Sequence, residues 1–243
     1  MIPLERKNKI LDLLEKNKHM TIHELAGIIY VSEMTVRRDL KQLEKEKLIK
    51  CIRGGAKSIE VTDTSNSYFA YSYRQAKDSD VKRELAKTAV SKIEKGDTIY
   101  IDTSSTASYI AEIIVPDDSI TVVTSSFQTA KILAQRNIKH TLVGGCYHEH
   151  EQSFLGYIAD SLSVSFNIDK MFFSSQGILP GDYIYDSSEA ETKTRQIFLK
   201  QSKKKYFLCP SYKIGKKYMF KVCPADSDIE IIYGNTEKGG DEK

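Results

Sequence analysis

The stretch VSEMTVRRDL, residues 31–40, decides how the first part of this chain folds. Ser32 is a good N-cap residue. Apolar side chains then recur with the spacing of a helix that has one buried face, at Val36, Leu40 and Leu43. Successive helical residues diverge by about 100°, so the adjacent Arg37 and Arg38 serve different surfaces outside the core. An isolated arginine pair on a helix is more often solvated or paired with nearby acids than used in binding. The surrounding sequence therefore has to show whether this pair binds a ligand.

Two shorter helical patterns precede this stretch, and a hairpin pattern follows it. Apolar residues recur among charged ones between Arg6 and Leu14, and TIHE at 21–24 fits a capping box, in which Thr and Glu side chains satisfy free backbone amides. After the third helix, β-prone residues flank Gly54-Gly55, as the turn of a hairpin requires. Three helices and a hairpin predict a winged helix-turn-helix, a module whose recognition helix lies in the major groove of DNA.

Charge is distributed unevenly along the chain. The formal net charge is +3, but residues 1–59 carry 13 Lys and Arg against 8 Asp and Glu, whereas residues 60–243 carry 23 against 25. A basic segment joined to a nearly neutral body is typical of a nucleic-acid reader with an attached control domain. The candidate DNA contacts are the polar and basic positions of the first segment: Thr21, Ser32, Glu33, Thr35, Arg37, Arg38, Lys41, Arg53 and Lys57.

These motifs resemble the N-terminal domain of one bacterial family. HELA at 23–26, VSEMTVRRDL at 31–40 and IRGGA at 52–56 are similar to the winged helix-turn-helix of the DeoR family of sugar-metabolism regulators. The chain departs from the family pattern at Lys47, where glycine is usual, and at Cys51, where a basic residue is common. The resemblance implies a DNA-binding domain over residues 3–58.

The rest of the chain has a different pattern. Residues 59–77 are polar with scattered aromatic side chains, which predicts a linker, and a helix ending at Gly96 is predicted to open a second domain at 78–236. Short β-rich runs then alternate with helical stretches, which predicts an α/β domain with a mainly parallel sheet covered on both faces. The predicted strands are 98–101, 121–124, 141–144, 171–174, 206–208 and 230–233, and the predicted helices are 105–115, 126–136, 154–166 and 189–202.

Polar side chains and glycines gather where the predicted strands end. Ligands of such sheets bind beyond the carboxyl ends of the strands, and amides, hydroxyls and cations there suit a phosphorylated sugar. One Ser or Thr cluster after a strand is more often only a helix cap, but several on one edge favour a site. The candidate effector-binding residues are Asp102, Thr103, Ser104, Ser105, Thr106, Thr124, Ser125, Gly144, Gly145, Gly177, Lys193 and Lys213.

A second resemblance supports this interpretation. GDTIYIDTSSTA at 96–107, VGG at 143–145, EAETK at 189–193 and LCPSYKIG at 208–215 are similar to the effector domain of the DeoR family. The resemblance implies a fold related to ribose-5-phosphate isomerases and coenzyme A transferases, and a sugar-phosphate effector. Ser125 and Pro210 replace the asparagine and aspartate of the family pattern.

Several other classes are disfavoured. No apolar run reaches the ~20 residues of a membrane span and the N-terminus has no signal-peptide pattern, which predicts a cytoplasmic protein without a membrane partner. Four scattered cysteines predict reduced thiols. HEHE at 148–151 offers no clear set of four ligands, so neither a metal nor another cofactor is expected.

The prediction is therefore a DNA-binding transcriptional repressor of a sugar-metabolism operon, not an enzyme. Its partners would be operator DNA and a phosphorylated sugar, and it would be a homodimer or homotetramer, because reading two half-sites requires two recognition helices. The alternative is a sugar-phosphate isomerase with an attached DNA-binding domain, in which Asp102 or Glu189 would be the base.

Overall fold

The chain divides into two compact units, residues 1–77 and 78–243. A computed structural model describes residues 3–45, 49–58, 71, 74–75, 77–226 and 228–234. Most of the predicted linker at 59–77, and all of the segment 235–243, lie outside the described residues. No helix within the described ranges is long and apolar enough to cross a membrane.

The first unit is a winged helix-turn-helix, as predicted. Its elements are α1 (Pro3–Asn17), β1 (His19–Thr21), α2 (Ile22–Ile29), α3 (Glu33–Lys45), β2 (Ile49–Ile52) and β3 (Gly55–Ser58). The three strands form an antiparallel sheet in the order β1-β3-β2. The helices and the wing share one apolar core, which includes Ile10, Leu14, Leu25, Val36, Leu40, Leu43 and Ile49.

Local side-chain chemistry starts both motif helices where the sequence predicts. The capping box at the start of α2 is present: Glu24 Oε2 accepts a hydrogen bond from Thr21 N, and Glu24 N donates to Thr21 Oγ1. At the start of α3, Ser32 Oγ accepts from Thr35 N at 3.2 Å. The hairpin turn also needs its second glycine, because a Cβ on Gly55 would lie 2.2 Å from the carbonyl oxygen of Met20 on β1.

The second unit is an α/β domain, as predicted. Its elements are α4 (Ser79–Val90), β4 (Thr98–Ile101), α5 (Ser108–Ile113), β5 (Thr121–Thr124), α6 (Phe127–Gln135), β6 (His140–Leu142), β7 (Cys146–His148), β8 (Ser153–Leu155), α7 (Tyr157–Ser163), β9 (Ile168–Phe173), β10 (Gly177–Ile178), β11 (Tyr183–Asp186), α8 (Glu189–Gln201), β12 (Ser202–Pro210), β13 (Phe220–Pro224) and β14 (Glu230–Gly234). Six strands form a parallel sheet in the order β14-β12-β9-β4-β5-β6.

Both faces of this sheet are buried. Alternate residues of the central strands enter two separate apolar clusters, so that Ile99 and Ile101 of β4 lie in one and Tyr100 lies in the other. The first cluster includes residues of α4 and α5, and the second includes Phe198 of α8, whose ring stacks on Tyr100. All six strands run in the same direction, so their carboxyl ends share one edge.

Several predicted boundaries are wrong, and the causes are tertiary. The helix expected to reach Gly96 ends at Val90, and Ile93 packs against the core from the segment that follows. The helix expected at 154–166 is strand β8 followed by the shorter α7. Strand β9 begins at Ile168, earlier than predicted, and so includes Lys170, a charged residue that does not suggest a buried strand. Its buried ammonium is compensated by Asp97 at 2.8 Å and Glu94 at 2.9 Å.

Two small sheets were not predicted. Strands β7 and β8 form an antiparallel hairpin, and β10, β11 and β13 form a three-stranded antiparallel sheet. Their strands have two to five residues, too few to show a clear local periodicity, and β13 pairs with β11 from a distant part of the chain. The second of these sheets matters for the site, because β11 ends at Asp186.

Candidate functional site

Helix α3 presents a basic surface away from its core. Arg37 and Arg38 are both exposed, but their surroundings differ. Arg37 Nη2 lies 3.5 Å from Glu33 Oε2, a surface pair of the kind that contributes little to stability. Arg38 and Lys41 have no ion-pair partner in the part of the chain that the structure describes. These side chains are therefore available to an anionic ligand such as the DNA backbone.

Asp39, the acidic residue that follows the arginine pair, has its side chain on the buried side of α3. Asp39 is buried and accepts hydrogen bonds from Arg6 of α1, through Nε to Oδ2 and through Nη2 to Oδ1. The hydrogen bond to Asp39 raises the pKa of the Arg6 guanidinium above its ordinary value. This buried pair connects α1 to α3, so it fixes the rotation of α3 and leaves Arg38 without an acidic partner on that side.

The other candidate DNA contacts lie on the same unit. Thr21 is exposed and its hydroxyl takes part in the capping box, while Ser32 Oγ and Thr35 Oγ1 lie 2.9 Å apart at the start of α3. Arg53 precedes the glycine turn of the wing and Lys57 lies on β3, and both are exposed. Eight of the nine candidate residues are exposed on the helix-turn-helix or its wing, and Thr35 is half-buried.

The carboxyl edge of the parallel sheet carries a buried charged group centred on Arg195. Arg195 Nε donates to Asp102 Oδ2 at 2.9 Å and Nη1 donates to Asp186 Oδ2 at 2.8 Å, while Nη2 lies 3.4 Å from Glu191 Oε1. We call these four residues the Arg195 cluster. Burial lowers the pKa of the Arg195 guanidinium, but the three carboxylates raise it more, so it stays charged.

The carboxylates of the Arg195 cluster are held by further hydrogen bonds. Asp102 Oδ1 accepts from Ser104 N at 3.0 Å and from Ser104 Oγ at 2.5 Å, and Thr103 Oγ1 donates to Glu191. Burial alone would raise the pKa of Asp186, but Arg195 and nearby hydrogen bonds hold it below its ordinary value. The cluster therefore connects the loop after β4 to the end of β11 and to α8.

Lys213 lies after β12 at the same edge. Its Nζ donates to Ser174 Oγ at 2.7 Å, and Ser174 Oγ lies 2.6 Å from the carbonyl oxygen of Leu208. Burial of the ammonium group lowers the pKa of Lys213 to about 8. No carboxylate among the described residues forms an ion pair with Lys213, so its charge is open to an anionic ligand.

Some buried hydroxyl groups have no hydrogen-bond partner among the described residues. Three of them lie near the carboxyl ends of β4 and β5: Thr106, Thr129 and Ser153. A fourth is Thr192 on α8, next to Glu191 of the Arg195 cluster. Buried hydroxyls normally have a partner, which can be an ordered water or a ligand. These four hydroxyls are therefore candidate partners for the polar groups of a ligand or for ordered water.

Most of the candidate effector-binding residues lie at the carboxyl edge of the parallel sheet, but two do not follow the same pattern. Those following β4, β5, β6 and β12 share the carboxyl edge: Asp102, Thr103, Ser104, Ser105, Thr106, Thr124, Ser125, Gly144, Gly145 and Lys213. Lys193 is on α8 with an exposed side chain, and its Nζ lies 3.2 Å from Asp160 Oδ2, so it stays a candidate that these contacts do not place in the Arg195 cluster. Gly177 begins β10, where a Cβ would lie 2.3 Å from the carbonyl oxygen of Lys216, so close packing explains that glycine.

Sequence reasoning missed several residues of this edge. They are Arg195, Asp186 and Glu191, which form the buried cluster with Asp102. The i, i+4 spacing of Glu191 and Arg195 is a weak signal, because most such pairs are exposed. The described residues also contain no group of three or more His, Cys, Asp or Glu side chains placed to hold a metal ion.

These two sites define a class of protein. A winged helix-turn-helix with a basic recognition helix, joined to an α/β domain with a polar site at its carboxyl edge, is the arrangement of a ligand-responsive DNA-binding regulator. Family models agree with this: the DeoR-like helix-turn-helix domain matches residues 6–62, and the DeoR C terminal sensor domain matches residues 77–234. The chain belongs to the DeoR family of transcriptional regulators.

Curated relatives extend over nearly the whole chain. The lactose phosphotransferase system repressor of Staphylococcus epidermidis is 33% identical over 98% of this chain and 95% of that protein. The repressor of the same name from Staphylococcus aureus is 32% identical over 96% and 94%. Among solved structures, ribose 5 phosphate isomerase A from Neisseria gonorrhoeae aligns with a TM-score of 0.41 and 15% identity over 56% of this chain and 53% of that one. The relatives support a repressor of a sugar operon.

Proposed function

We propose that this DeoR-family repressor binds the operator of a sugar-metabolism operon with α3 and its wing, and that a phosphorylated sugar in the second unit modulates that binding. The observation that carries the effector proposal is the group of buried hydroxyls at the carboxyl edge that have no partner among the described residues, together with the ammonium of Lys213 at the same edge. Helix α6 begins at this edge with Ser126 as its N-cap, and helix N-termini favour anions. The effector acts by binding one arrangement of the repressor more tightly than the other.

Lys213 is proposed to compensate the phosphate charge. Replacing Lys213 by alanine removes a charge-assisted hydrogen bond of about 1.5–3 kcal/mol, so effector affinity is expected to fall by roughly ten- to a hundredfold. Titration calorimetry with a panel of sugar phosphates and the matching free sugars measures this. Lys200→Ala, which removes an exposed lysine of α8, is the control. Unchanged affinity in Lys213→Ala, or equal binding of phosphorylated and free sugars, would contradict the proposed site.

The same group predicts a pH dependence. With a pKa of about 8, Lys213 is mainly charged at pH 7 and mainly neutral at pH 9, whereas the second ionisation of a phosphate ester is complete above pH ~7. Effector affinity is therefore expected to fall by about tenfold between pH 7 and pH 9. Burial raises the pKa of the neighbouring Cys209 to about 11, so that thiol does not titrate in this window. The Lys213→Ala variant should show no such fall.

Operator binding is proposed to depend on Arg38, the arginine of α3 that has no ion-pair partner among the described residues. Replacing Arg38 by alanine is expected to cost about 1–3 kcal/mol of operator affinity and to relax sequence discrimination, if the guanidinium reads a base. Lys57→Ala should instead weaken binding to all DNA about equally, because a wing lysine meets phosphates. Gel shifts with operator and unrelated DNA distinguish these outcomes, and Lys131→Ala on α6 is the control. Full operator affinity in Arg38→Ala and Arg37→Ala would exclude α3 as the reader.

The repressor is proposed to act as a dimer or tetramer. Each chain has one recognition helix, and two half-sites need two of them. A group of exposed apolar side chains on and after α7 supports self-association of the second unit: Tyr157, Ile158, Leu162 and Val164. Sedimentation showing only monomers at micromolar concentration with and without operator would contradict this.

Isomerase activity is not expected. Asp102 is fully buried and both of its oxygens accept hydrogen bonds, and Glu189 is an exposed residue at the start of α8. Neither arrangement suits a base placed against a substrate carbon. Turnover of pentose or hexose phosphates that is lost in Asp102→Asn would overturn this view.

A further inference from the structure

Met34 is an exposed apolar residue in an unusual position. It is the second residue of α3, and 75% of its surface is exposed. Single exposed apolar residues are common on proteins and need no explanation by themselves. Met34 differs because it lies on the helix that is proposed to enter the DNA groove, among polar and basic neighbours.

The geometry of α3 places Met34 in the middle of the outer face. Val36, Leu40 and Leu43 are buried and define the inner face. At about 100° per residue, the side chains within ~50° of the opposite direction include Met34, Arg38 and Lys41. Met34 and Arg38 are four residues apart, so they are neighbours on the helix surface. The apolar side chain thus stands on the same ridge as two cations that have no ion-pair partner among the described residues.

The chemistry of that ridge limits what Met34 can contact. N-terminal residues of a recognition helix are the ones that reach base edges, while flanking cations bring the helix against the phosphates. A thioether has no hydrogen to donate and its sulfur is a weak acceptor, so it cannot read the polar edges of bases. The major groove offers one apolar group, the C5 methyl of thymine.

We propose that Met34 reads a thymine in each operator half-site by packing against its C5 methyl group, one helical turn before Arg38. This inference rests on the proposed function, because it requires α3 to lie in the major groove. It adds a specificity-determining residue whose contribution is van der Waals contact and exclusion of water, where the arginines contribute hydrogen bonds and charge.

The test removes the same methyl group from the DNA and its partner from the protein. Purified full-length protein first selects its operator from random DNA, and each thymine of that operator is then replaced in turn by uracil, which lacks only the C5 methyl. For the unmodified protein, uracil at one position per half-site is expected to weaken binding by about fourfold, the loss typical of one buried methyl group. In Met34→Ala the same replacement should have no effect.

Three further variants make the result specific. Met34→Leu keeps an apolar side chain and should keep the discrimination against uracil, whereas Met34→Gln, of similar size but polar, should lose it. Met219→Ala removes a methionine of the second unit that is 84% exposed and should leave the uracil profile unchanged. Because Met34 is exposed, circular dichroism should show all its variants folded.

The outcomes separate this inference from the proposed function. If no thymine is sensitive to uracil, or if the sensitivity is equal in the unmodified protein and Met34→Ala, the methyl contact is wrong even when Arg38→Ala still weakens operator binding. If the protein selects no DNA at all, the proposed function and the inference both fail. Loss of the fourfold effect only in Met34→Ala and Met34→Gln supports the contact.

Discussion

Replacing Arg195 by leucine is expected to destabilise the second unit by about 3–5 kcal/mol, because removing one partner of a buried ion pair leaves the others uncompensated. Asp102, Asp186 and Glu191 would each keep a buried carboxylate without its guanidinium. Domains are typically stable by only about 5–15 kcal/mol, so a loss of this size is a large fraction of the total. Urea denaturation followed by circular dichroism measures it.

Two comparisons identify the cause of that loss. Arg83→Leu removes an arginine whose side chain is 54% exposed and whose Nη2 lies 3.9 Å from Glu112, and it should cost no more than about 1 kcal/mol. Arg195→Lys keeps the positive charge but not the planar set of N–H donors. Its loss of stability should therefore lie between those of Arg83→Leu and Arg195→Leu. A loss below ~1 kcal/mol in Arg195→Leu would show that the cluster does not hold these elements together.

The pH dependence of stability should also reverse in Arg195→Leu. In the unmodified protein the pKa of Asp186 is held below its ordinary value. The contribution of this carboxylate to stability is therefore present above pH ~4 and is lost as the pH falls through the folded-state pKa. Without Arg195, burial would raise the pKa of Asp186, and the folded state would bind a proton more readily than the unfolded chain. The variant should therefore gain stability as the pH is lowered from 7 towards 5, a range over which the Asp186 contribution in the unmodified protein is constant.

The second large effect is expected at Asp39. Asp39→Ala leaves the buried guanidinium of Arg6 without a partner, and the expected cost to the first unit is again about 3–5 kcal/mol. Hydrogen exchange of the full-length protein, followed by mass spectrometry, should show faster exchange in α1 and α3. Glu33→Ala, which removes a half-exposed acid of the same helix, is the control and should leave exchange in α1 unchanged.

A double variant tests whether the Asp39 effect comes from the ion pair. Arg6→Met combined with Asp39→Leu replaces both charges by apolar side chains, and such replacements are often neutral or stabilising. It should therefore recover most of the stability that Asp39→Ala loses. If Asp39→Ala instead weakens operator binding without changing hydrogen exchange, Asp39 acts at the DNA and not through the fold.

Much of the first unit is predictable because its signals are local. The capping box at Thr21, the N-cap at Ser32 and the glycine turn at Gly55 each act within a few residues, and the structure confirms all three. Only β1 was missed, since its three residues become a strand by pairing with β3 across more than thirty residues of chain.

The second unit shows the limit of local signals. Strands 98–101 and 121–124 were predicted at their observed boundaries because they are apolar runs between turn signals. Strands β10 and β11 were missed because they are short, and β13 was missed because its partner β11 lies in a distant part of the chain. The carboxyl edge as the place of the candidate site followed from strand direction alone, whereas the Arg195 cluster depends on contacts between elements that are distant in the sequence.

The sequence by itself determined the two kinds of domain, the basic outer surface of α3 and the polar carboxyl edge, because helical and strand periodicities and caps act over a few residues. Only the tertiary structure decided which charges became partners. Asp39 pairs with Arg6, 33 positions away, and Asp102 pairs with Arg195, 93 positions away. Such pairs form because packing removes these charged groups from water, so that each group needs the other as its partner. The residues next to each group in the sequence do not indicate which distant residue will be packed against it.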